Sequence, residues 1–184
     1  EIPPKIVSDG KSLLLDSYSA GDEPYMLASN LPDVVVIVDK DRVKAGKYAI
    51  QKYGCDTLIL DDGYQYLKLS NRLDIALVDG TNPYGGGYLL PRGLLREPIR
   101  NLKRAGFIFI TKCDKKDNKI LKNQLRKLNP NAEISECRHE AKYLKEIFGD
   151  DQFGLEKLQG MNIVSLSAIA VPESFENALK SFGA

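Results

Sequence analysis

The run Phe107-Ile108-Phe109-Ile110-Thr111-Lys112 is continuously apolar for four residues and then turns polar. Three other apolar runs lie at residues 34–38, 57–60 and 75–78. Apolar runs without alternation are typical of strands in a parallel sheet that is covered on both faces. Helix-patterned segments separate these runs, which indicates βαβ units. The sequence therefore predicts an α/β fold with a mainly parallel sheet and flanking helices.

Polar residues follow each of the four predicted strands. They are Asp39, the pair Asp61-Asp62, Asp79, and the pair Thr111-Lys112. Ligands of open α/β sheets bind beyond the carboxyl ends of the strands. We therefore expect these residues to rim a single crevice.

The spacing of apolar residues, together with Gly and Pro at the segment ends, predicts three helices. The first spans residues 43–53 and ends at Gly54, which suits a left-handed C′ position. A second spans residues 117–128, before Asn129-Pro130. A third begins at Pro172 and stops before Gly183.

The pattern divides the chain into three regions. Residues 1–130 are predicted to form an α/β lobe, and residues 131–160 a linker that carries a strand. A fresh strand at residues 161–166, followed by the last helix, predicts the start of a second α/β lobe over residues 161–184.

The composition excludes several classes of protein. The chain has 184 residues and a formal charge of +1, so no global field directs it to nucleic acid or anionic lipid. Its three cysteines lack CxxC spacing, which argues against disulfides or a thiolate metal site and favours a reducing cytoplasm. No apolar run approaches the roughly 20 residues that span a bilayer, and no signal peptide is evident. Since the chain lacks an initiator Met, we expect it to begin partway through a longer protein.

Residues 58–63 carry the pattern of a Walker B motif. A predicted apolar strand ends in Asp61 and Asp62, and Gly63 follows them and permits a sharp turn of the backbone. A carboxylate in this position can hold the Mg²⁺ that bridges nucleotide phosphates. The alternative is that these acids cap a following helix.

Two further segments combine charged residues with Gly and Pro. Gly21-Asp22-Glu23-Pro24 either contributes acidic catalytic groups or starts a helix whose dipole the acids complement. The segment 89–98 follows a Gly-rich turn and contains Arg92, Arg96 and Glu97. Arginine forks match phosphate oxygens, so this loop suits a phosphorylated substrate; a surface salt-bridge cluster is the alternative.

Three other features bear on nucleotide binding. Thr111-Lys112-Cys113-Asp114 matches the T/N-K-x-D signature of guanine recognition, and supports a nucleotide-binding sheet with the base left open. Residues 8–12 end in Gly-Lys-Ser, but Lys5 stands where a Walker A loop requires glycine. His139 lies between Arg138 and Glu140 and is predicted to be a solvated residue.

The motifs together resemble the tetraacyldisaccharide 4'-kinase family. Their order and spacing carry the resemblance, which covers roughly residues 6–184. The matching segments are Ala-Gly-Asp-Glu-Pro at 20–24, Leu-Asp-Asp-Gly-Tyr-Gln-Tyr at 60–66, Val-Asp-Gly-Thr-Asn-Pro-Tyr-Gly-Gly-Gly at 78–87, and Leu-Leu-Pro-Arg-Gly-Leu-Leu-Arg-Glu-Pro at 89–98.

The resemblance implies two lobes of P-loop NTPase type joined by a β linker, with residues 1–130 as the lobe that binds nucleotide and substrate. It implies an ATP- and Mg²⁺-dependent kinase that phosphorylates the 4'-hydroxyl of a tetraacyldisaccharide 1-phosphate in lipid A biosynthesis. The acyl chains lie in the membrane, so the full-length protein is expected to contact the cytoplasmic face of the bacterial inner membrane peripherally.

The resemblance also implies roles for individual residues. Asp22 helps to activate the sugar hydroxyl, Gln65 stands near the reacting centre, and Arg42 contacts phosphate. Arg96 and Glu97 contact phosphate and metal. The residues expected to serve Mg²⁺-ATP or to lie close to the metal are Asp61, Asp62 and Glu23.

This sequence departs from the family in three ways. Tyr66 stands where many members have His. The family's phosphate-binding loop lies before Glu1 and its catalytic histidine beyond Ala184, so we expect this chain alone to show no turnover. Two other interpretations stay open: a P-loop GTPase or metallochaperone relative, suggested by Thr111-Lys112, and an α/β interaction module whose acids are helix caps.

Overall fold

Three parallel strands form the main sheet, in the order Ile75–Asp79, Phe107–Thr111, Glu133–Glu136. The computed structural model describes residues 3–113, 117–169 and 171–184. Two antiparallel pairs lie outside this sheet, residues 5–9 with 35–38 and residues 144–145 with 152–153, so the prediction that the run at 34–38 joins the parallel sheet is wrong. The strands are β1 Lys5–Asp9, β2 Val35–Val38, β3 Ile75–Asp79, β4 Phe107–Thr111, β5 Glu133–Glu136, β6 Leu144–Lys145 and β7 Gln152–Phe153. The helices are α1 Ser17–Ala20, α2 Asp22–Asn30, α3 Arg42–Tyr53, α4 Lys119–Leu128 and α5 Pro172–Ser181, with 3₁₀ helices at Ile99–Arg104 and Leu155–Leu158.

The main core lies between one face of this sheet and α4. Ile108 and Ile110 of β4 and Leu125 of α4 are fully buried and belong to one cluster. Side chains alternate along a strand, so the neighbours of the buried residues point to the other face. There Leu77 is 73% exposed, so the expectation of helices on both faces is wrong for β3.

The β1–β2 pair carries a second, smaller core. Val7 of β1 packs with Ala20 of α1 and Ala28 of α2. Asp41 caps α3 by accepting from the backbone N–H groups of Val43 and Lys44, and Gly54 ends the helix with φ 67°. The predicted helix at 43–53 is confirmed, as are those at 117–128 and near the carboxyl end.

Two predicted strands are wrong. Residues 57–60 and 161–166 form no β-ladder, and Ile59 and Leu166 are 93% and 96% exposed. A strand needs a partner edge for its backbone hydrogen bonds, and no described residue pairs with either segment. Leu58 instead packs near α3, where a Cβ on Gly46 would lie 3.0 Å from its Cδ1.

The range predicted as a linker, 131–160, contains both β5 and the β6–β7 hairpin. Strand β5 pairs in parallel with β4, from Phe107↔Glu133 to Ile110↔Glu136, and so completes the main sheet. The division of the chain into domains stays a prediction. Within the described ranges, no helix has the length and apolar character needed to cross a bilayer.

Candidate functional site

An ion pair joins two loops that are 34 residues apart in the sequence. Arg96 donates from Nη1 to Oδ2 of Asp62, in the turn that follows residues 57–60. Both side chains are more than half exposed, so the pair stays open to solvent. The Asp62 carboxylate hydrogen-bonds the guanidinium and raises the pKa of Arg96. Two sequence-predicted site residues therefore meet at one point.

Glu97, next to Arg96, accepts hydrogen bonds on both carboxylate oxygens. Gln65 Nε2 donates to Oε1 at 3.0 Å and Asn101 Nδ2 to Oε2 at 2.7 Å. Arg104 donates to Oε2 at 3.0 Å and to Oε1 at 3.1 Å. Burial raises the pKa of Glu97, but these hydrogen bonds, led by that of Arg104, outweigh burial and lower it. Glu97 is thus an ionised anchor for Gln65.

A cavity of about 450 Å³ opens beside this cluster. Tyr66 donates from its hydroxyl to Oδ1 of Asp41 at 3.2 Å, which ties the 61–66 segment to the start of α3. Two cationic and three polar or acidic side chains therefore surround the space, an arrangement suited to an anion that carries a divalent cation. The lining residues are Lys40, Arg42, Asp62, Gln65 and Tyr66.

Asp22 and Glu23 lie in the first turn of α2, and both are exposed. Strand β2 pairs with β1 so that Lys5 lies opposite Val38, and Lys5 Nζ donates to the backbone carbonyl of Ser19 at 3.0 Å. Ser19, three residues before Asp22, therefore lies near the carboxyl end of β2, from which the chain continues to Lys40 and Arg42. No described residue makes a side-chain contact to Asp22 or Glu23 at hydrogen-bond distance.

The four carboxylates predicted to serve a metal do not form one cluster. Among the described residues, no three His, Cys, Asp or Glu side chains are grouped so as to hold a metal ion. Asp62 pairs with Arg96, Glu97 is engaged on both oxygens, and Asp61 is exposed without a described partner. A preformed all-protein metal cage therefore does not exist in the described part of the chain.

Thr111 and Lys112 lie where β3 and β4 end, and neither lines the cavity, so the expectation that all the polar residues at the strand ends rim one crevice is not met. Lys112 Nζ contacts Oδ2 of Asp79 at 2.5 Å, and Thr81 donates to Oδ1 from its hydroxyl at 2.6 Å and its backbone N–H at 2.8 Å. Burial raises the pKa of Asp79, but the bonds from Lys112 and Thr81 outweigh burial and lower it strongly. Asp114, the last residue of the guanine-type signature, lies outside the described residues.

The lowered pKa of Asp79 predicts a loss of stability in acid. A carboxylate with a depressed folded pKa stabilises the fold fully above its unfolded pKa, and this contribution disappears as the pH falls towards the folded value. We expect Asp79→Asn to lower the free energy of unfolding by about 1–2 kcal/mol at pH 7. The difference from wild type should shrink below about pH 4, since the unfolded value is 3.8.

Urea unfolding of both proteins between pH 7 and pH 3 measures this difference. Asp56→Asn is the matched control, because Asp56 is exposed and makes no described contact. A stability difference for Asp79→Asn that stays constant over this pH range would contradict the predicted linkage.

Sequence reasoning missed the residues that hold the site together, namely Arg72, Asp74 and Arg104. Asn101 and Arg104 follow Glu97 by four and seven residues, the spacing of one helical face, and that spacing was the available signal. Arg72 and Asp74 gave no comparable signal, because their contacts depend on how the 61–73 segment folds back.

Comparison with known proteins identifies the relatives of this chain. A model of the family described as tetraacyldisaccharide-1-P 4'-kinase matches residues 2–184. No solved structure matches the chain at a significant level.

Several curated proteins named tetraacyldisaccharide 4'-kinase are similar to it. The one from Halothermothrix orenii is 35% identical over 98% of this chain and 50% of its own length. The one from Anaeromyxobacter sp. (strain Fw109-5) is 38% identical over 98% of this chain and 49% of its own length. The one from Syntrophus aciditrophicus is 36% identical over 99% of this chain and 51% of its own length.

The chain thus spans about half the length of the curated relatives it matches. The family match nevertheless runs through all four motifs and both loops of the Asp62–Arg96 pair. The predicted resemblance is confirmed: this chain belongs to the tetraacyldisaccharide-1-P 4'-kinase family.

Proposed function

We propose that this chain is part of an ATP-dependent kinase that phosphorylates the 4'-hydroxyl of a tetraacyldisaccharide 1-phosphate in lipid A biosynthesis. The observation that carries the proposal is the convergence of Asp62, Gln65, Arg96 and Glu97 beside the cavity that Arg42 lines. Phosphoryl transfer requires positioning and charge neutralisation, and these residue types provide both.

Charge neutralisation falls to the residues around the cavity. We assign Arg42 and Arg96 to phosphate oxygens, since guanidinium forks bind them in two-point contacts. ATP enters as its Mg²⁺ complex, and Mg²⁺ uses one or two protein carboxylates together with phosphates and waters. Asp61 and Asp62 fit that requirement, and the lack of a three-carboxylate group does not conflict with it. Glu23 is proposed to lie near the metal.

Asp22 is proposed to accept the proton of the attacking sugar hydroxyl. It is exposed at the start of α2, three residues after Ser19, which Lys5 ties to the carboxyl end of β2, and its carboxylate is not engaged by a described side chain. Gln65 is held by Glu97 and lines the cavity, which suits a residue that orients the reacting groups. Thr111 and Lys112 are proposed to lie on the nucleotide side of the site.

Two broader proposals follow from family membership. The lobe is of P-loop NTPase type, consistent with its parallel three-stranded sheet, and this chain alone does not turn over because its sequence contains no phosphate loop. The full-length protein is proposed to contact the cytoplasmic face of the inner membrane, where its acylated substrate resides.

Transfer of labelled phosphate from ATP to tetraacyldisaccharide 1-phosphate tests the function. The assay uses the full-length polypeptide, meaning a chain of the relatives' length that contains this sequence. We expect Mg²⁺-dependent transfer to the 4'-position with ATP and little competition from GTP. Transfer that prefers GTP, or none to the disaccharide, would overturn the proposal. The 184-residue chain alone should give no signal above buffer.

A further inference from the structure

Two arginines hold the backbone on either side of Gln65. The carbonyl of Tyr64 accepts from Arg104 Nη2 at 3.1 Å and from Arg72 Nη2 at 3.4 Å. The carbonyl of Tyr66 accepts from Arg72 Nη1. The peptide group that precedes Gln65 and the one that follows Tyr66 are thus held by charged donors, so a shift of the Gln65 backbone would disturb charge-assisted hydrogen bonds.

Arg104 also controls the side chain of Gln65, through Glu97. It grips Glu97 with two parallel bonds of 3.0 and 3.1 Å, and Glu97 in turn accepts from Gln65 Nε2 at 3.0 Å. The Arg104 guanidinium thus holds the peptide group before Gln65 and also holds Glu97, the hydrogen-bond partner of the Gln65 side-chain amide. Glu97 follows Arg96 directly in the sequence. The bonds from Arg104 to Glu97 therefore also hold the loop from which Arg96 contacts Asp62.

Asp74 joins the two arginines. Its carboxylate accepts from Arg72 Nε at 2.9 Å and Nη2 at 3.1 Å, and lies 3.8 Å from Arg104 Nε. Its side chain is only 11% exposed, and Arg104 Nε is buried without a hydrogen bond of its own. The Tyr64 ring lies 4.5 Å from the Arg104 guanidinium carbon. The three residues are therefore a packed unit, and none of them lines the cavity.

We infer that Arg72, Asp74 and Arg104 form an arginine clamp that positions Gln65 and Arg96 for phosphoryl transfer. The inference rests on the proposed function, and it makes the three residues positioning rather than catalytic. It also gives Glu97 a role that needs no metal contact, namely to transmit the hold of Arg104 to Gln65.

Arg104→Lys in the full-length polypeptide tests the inference. Lysine keeps the charge but cannot reach Glu97 and the Tyr64 carbonyl with a rigid fork. We expect kcat to fall about 10- to 100-fold, because small misplacements of reacting groups cost this much, while the KM for ATP changes less than about threefold. Arg100→Lys is the matched control: Arg100 lies on the same 3₁₀ helix, is exposed and makes no described contact, so kcat should not change.

A double variant separates positioning from general stability. If Arg104 acts through Glu97, the losses of kcat from Arg104→Lys and from Glu97→Gln should not add in the double variant. Cooling to a temperature at which the protein is fully folded should also not restore kcat. Additive losses, or recovery of kcat on cooling, would show that the clamp only stabilises the fold. Arg72→Lys provides a second variant that should give the same split between kcat and KM.

Hydrogen exchange of the 184-residue chain gives a readout without kinase activity. The Tyr66 amide bonds the Gly63 carbonyl at 2.9 Å, and Arg104→Lys should speed its exchange while the amide of Ile108 in the core stays protected. Unchanged exchange at Tyr66 overturns the clamp even if the kinase is active. Faster exchange together with an inactive wild-type kinase supports the clamp and places the failure in the proposed function.

Discussion

Replacing Asp62 by Asn is expected to lower kcat/KM for phosphoryl transfer by about 100- to 1,000-fold, the usual cost of removing one preorganised electrostatic group. The substitution removes the charge that pairs with Arg96 and that we assign to Mg²⁺-ATP. Asp62 has φ 51°, in the left-handed region that Asn enters readily, so the backbone should not change. Initial rates over a series of Mg²⁺ concentrations measure the loss and its dependence on the metal.

Asp33→Asn is the matched control for this substitution. Asp33 also has a left-handed backbone, with φ 70°, is exposed in the turn after α2, and makes no described contact with the Asp62–Arg96 loops. It should leave kcat/KM within about twofold of wild type, as surface substitutions usually do. If Asp62→Asn also stays within that range, the carboxylate is a surface ion pair and not part of the kinase site.

The elements that the sequence predicted correctly are those specified by local signals. Helix α3 begins at an Asp41 cap and ends at a left-handed Gly54, and both signals act within a single turn. Strands β3 and β4 are apolar and β-branched, and each finds a parallel partner in the same sheet. Where a residue's neighbours along the chain decide its conformation, the pattern alone is sufficient.

The failed strand at residues 57–60 shows the limit of that reasoning. Its apolar pattern is as strong as that of β3, but the pattern does not say which edge supplies hydrogen bonds. In the described residues β3 pairs only with β4, so the segment stays unpaired and Ile59 stays exposed. Strand formation depends on distant residues, and a single sequence does not report them.

The residues of the candidate site also fall into those that the sequence predicted and those that only the fold revealed. Motif order pointed to Asp62, Gln65, Arg96 and Glu97, but not to the clamp that fixes them. Arg104 contacts the Tyr64 carbonyl across 40 residues, and only the fold determines that contact. Glu97 was predicted as a metal neighbour; in the structure its two oxygens are saturated by Gln65, Asn101 and Arg104. A carboxylate with these partners holds Gln65 in place, and the residue type alone does not indicate that role.

Asp22→Asn is expected to lower kcat of the full-length polypeptide by about 100- to 10,000-fold, the range for removal of a general base, with little change in KM. The amide has nearly the same shape but cannot accept the proton of the sugar hydroxyl. Its cost to stability should be only about 0.3–1 kcal/mol, from the weaker interaction with the α2 dipole. Activity should therefore fall far more than the melting temperature.

Two further variants decide between a catalytic base and a helix-start acid at this position. Asp16→Asn is the control, because Asp16 caps the neighbouring α1 by accepting from the Ser19 amide, and Asn caps equally well. Asp22→Glu keeps the carboxylate but moves it by one methylene, so it should retain more kcat than Asp22→Asn. If Asp22→Asn and Asp16→Asn lower kcat equally, the acid serves only the start of α2. A large loss confined to Asp22→Asn, partly recovered by Asp22→Glu, requires a carboxylate at position 22, because neither the helix dipole nor the cap distinguishes these variants so strongly.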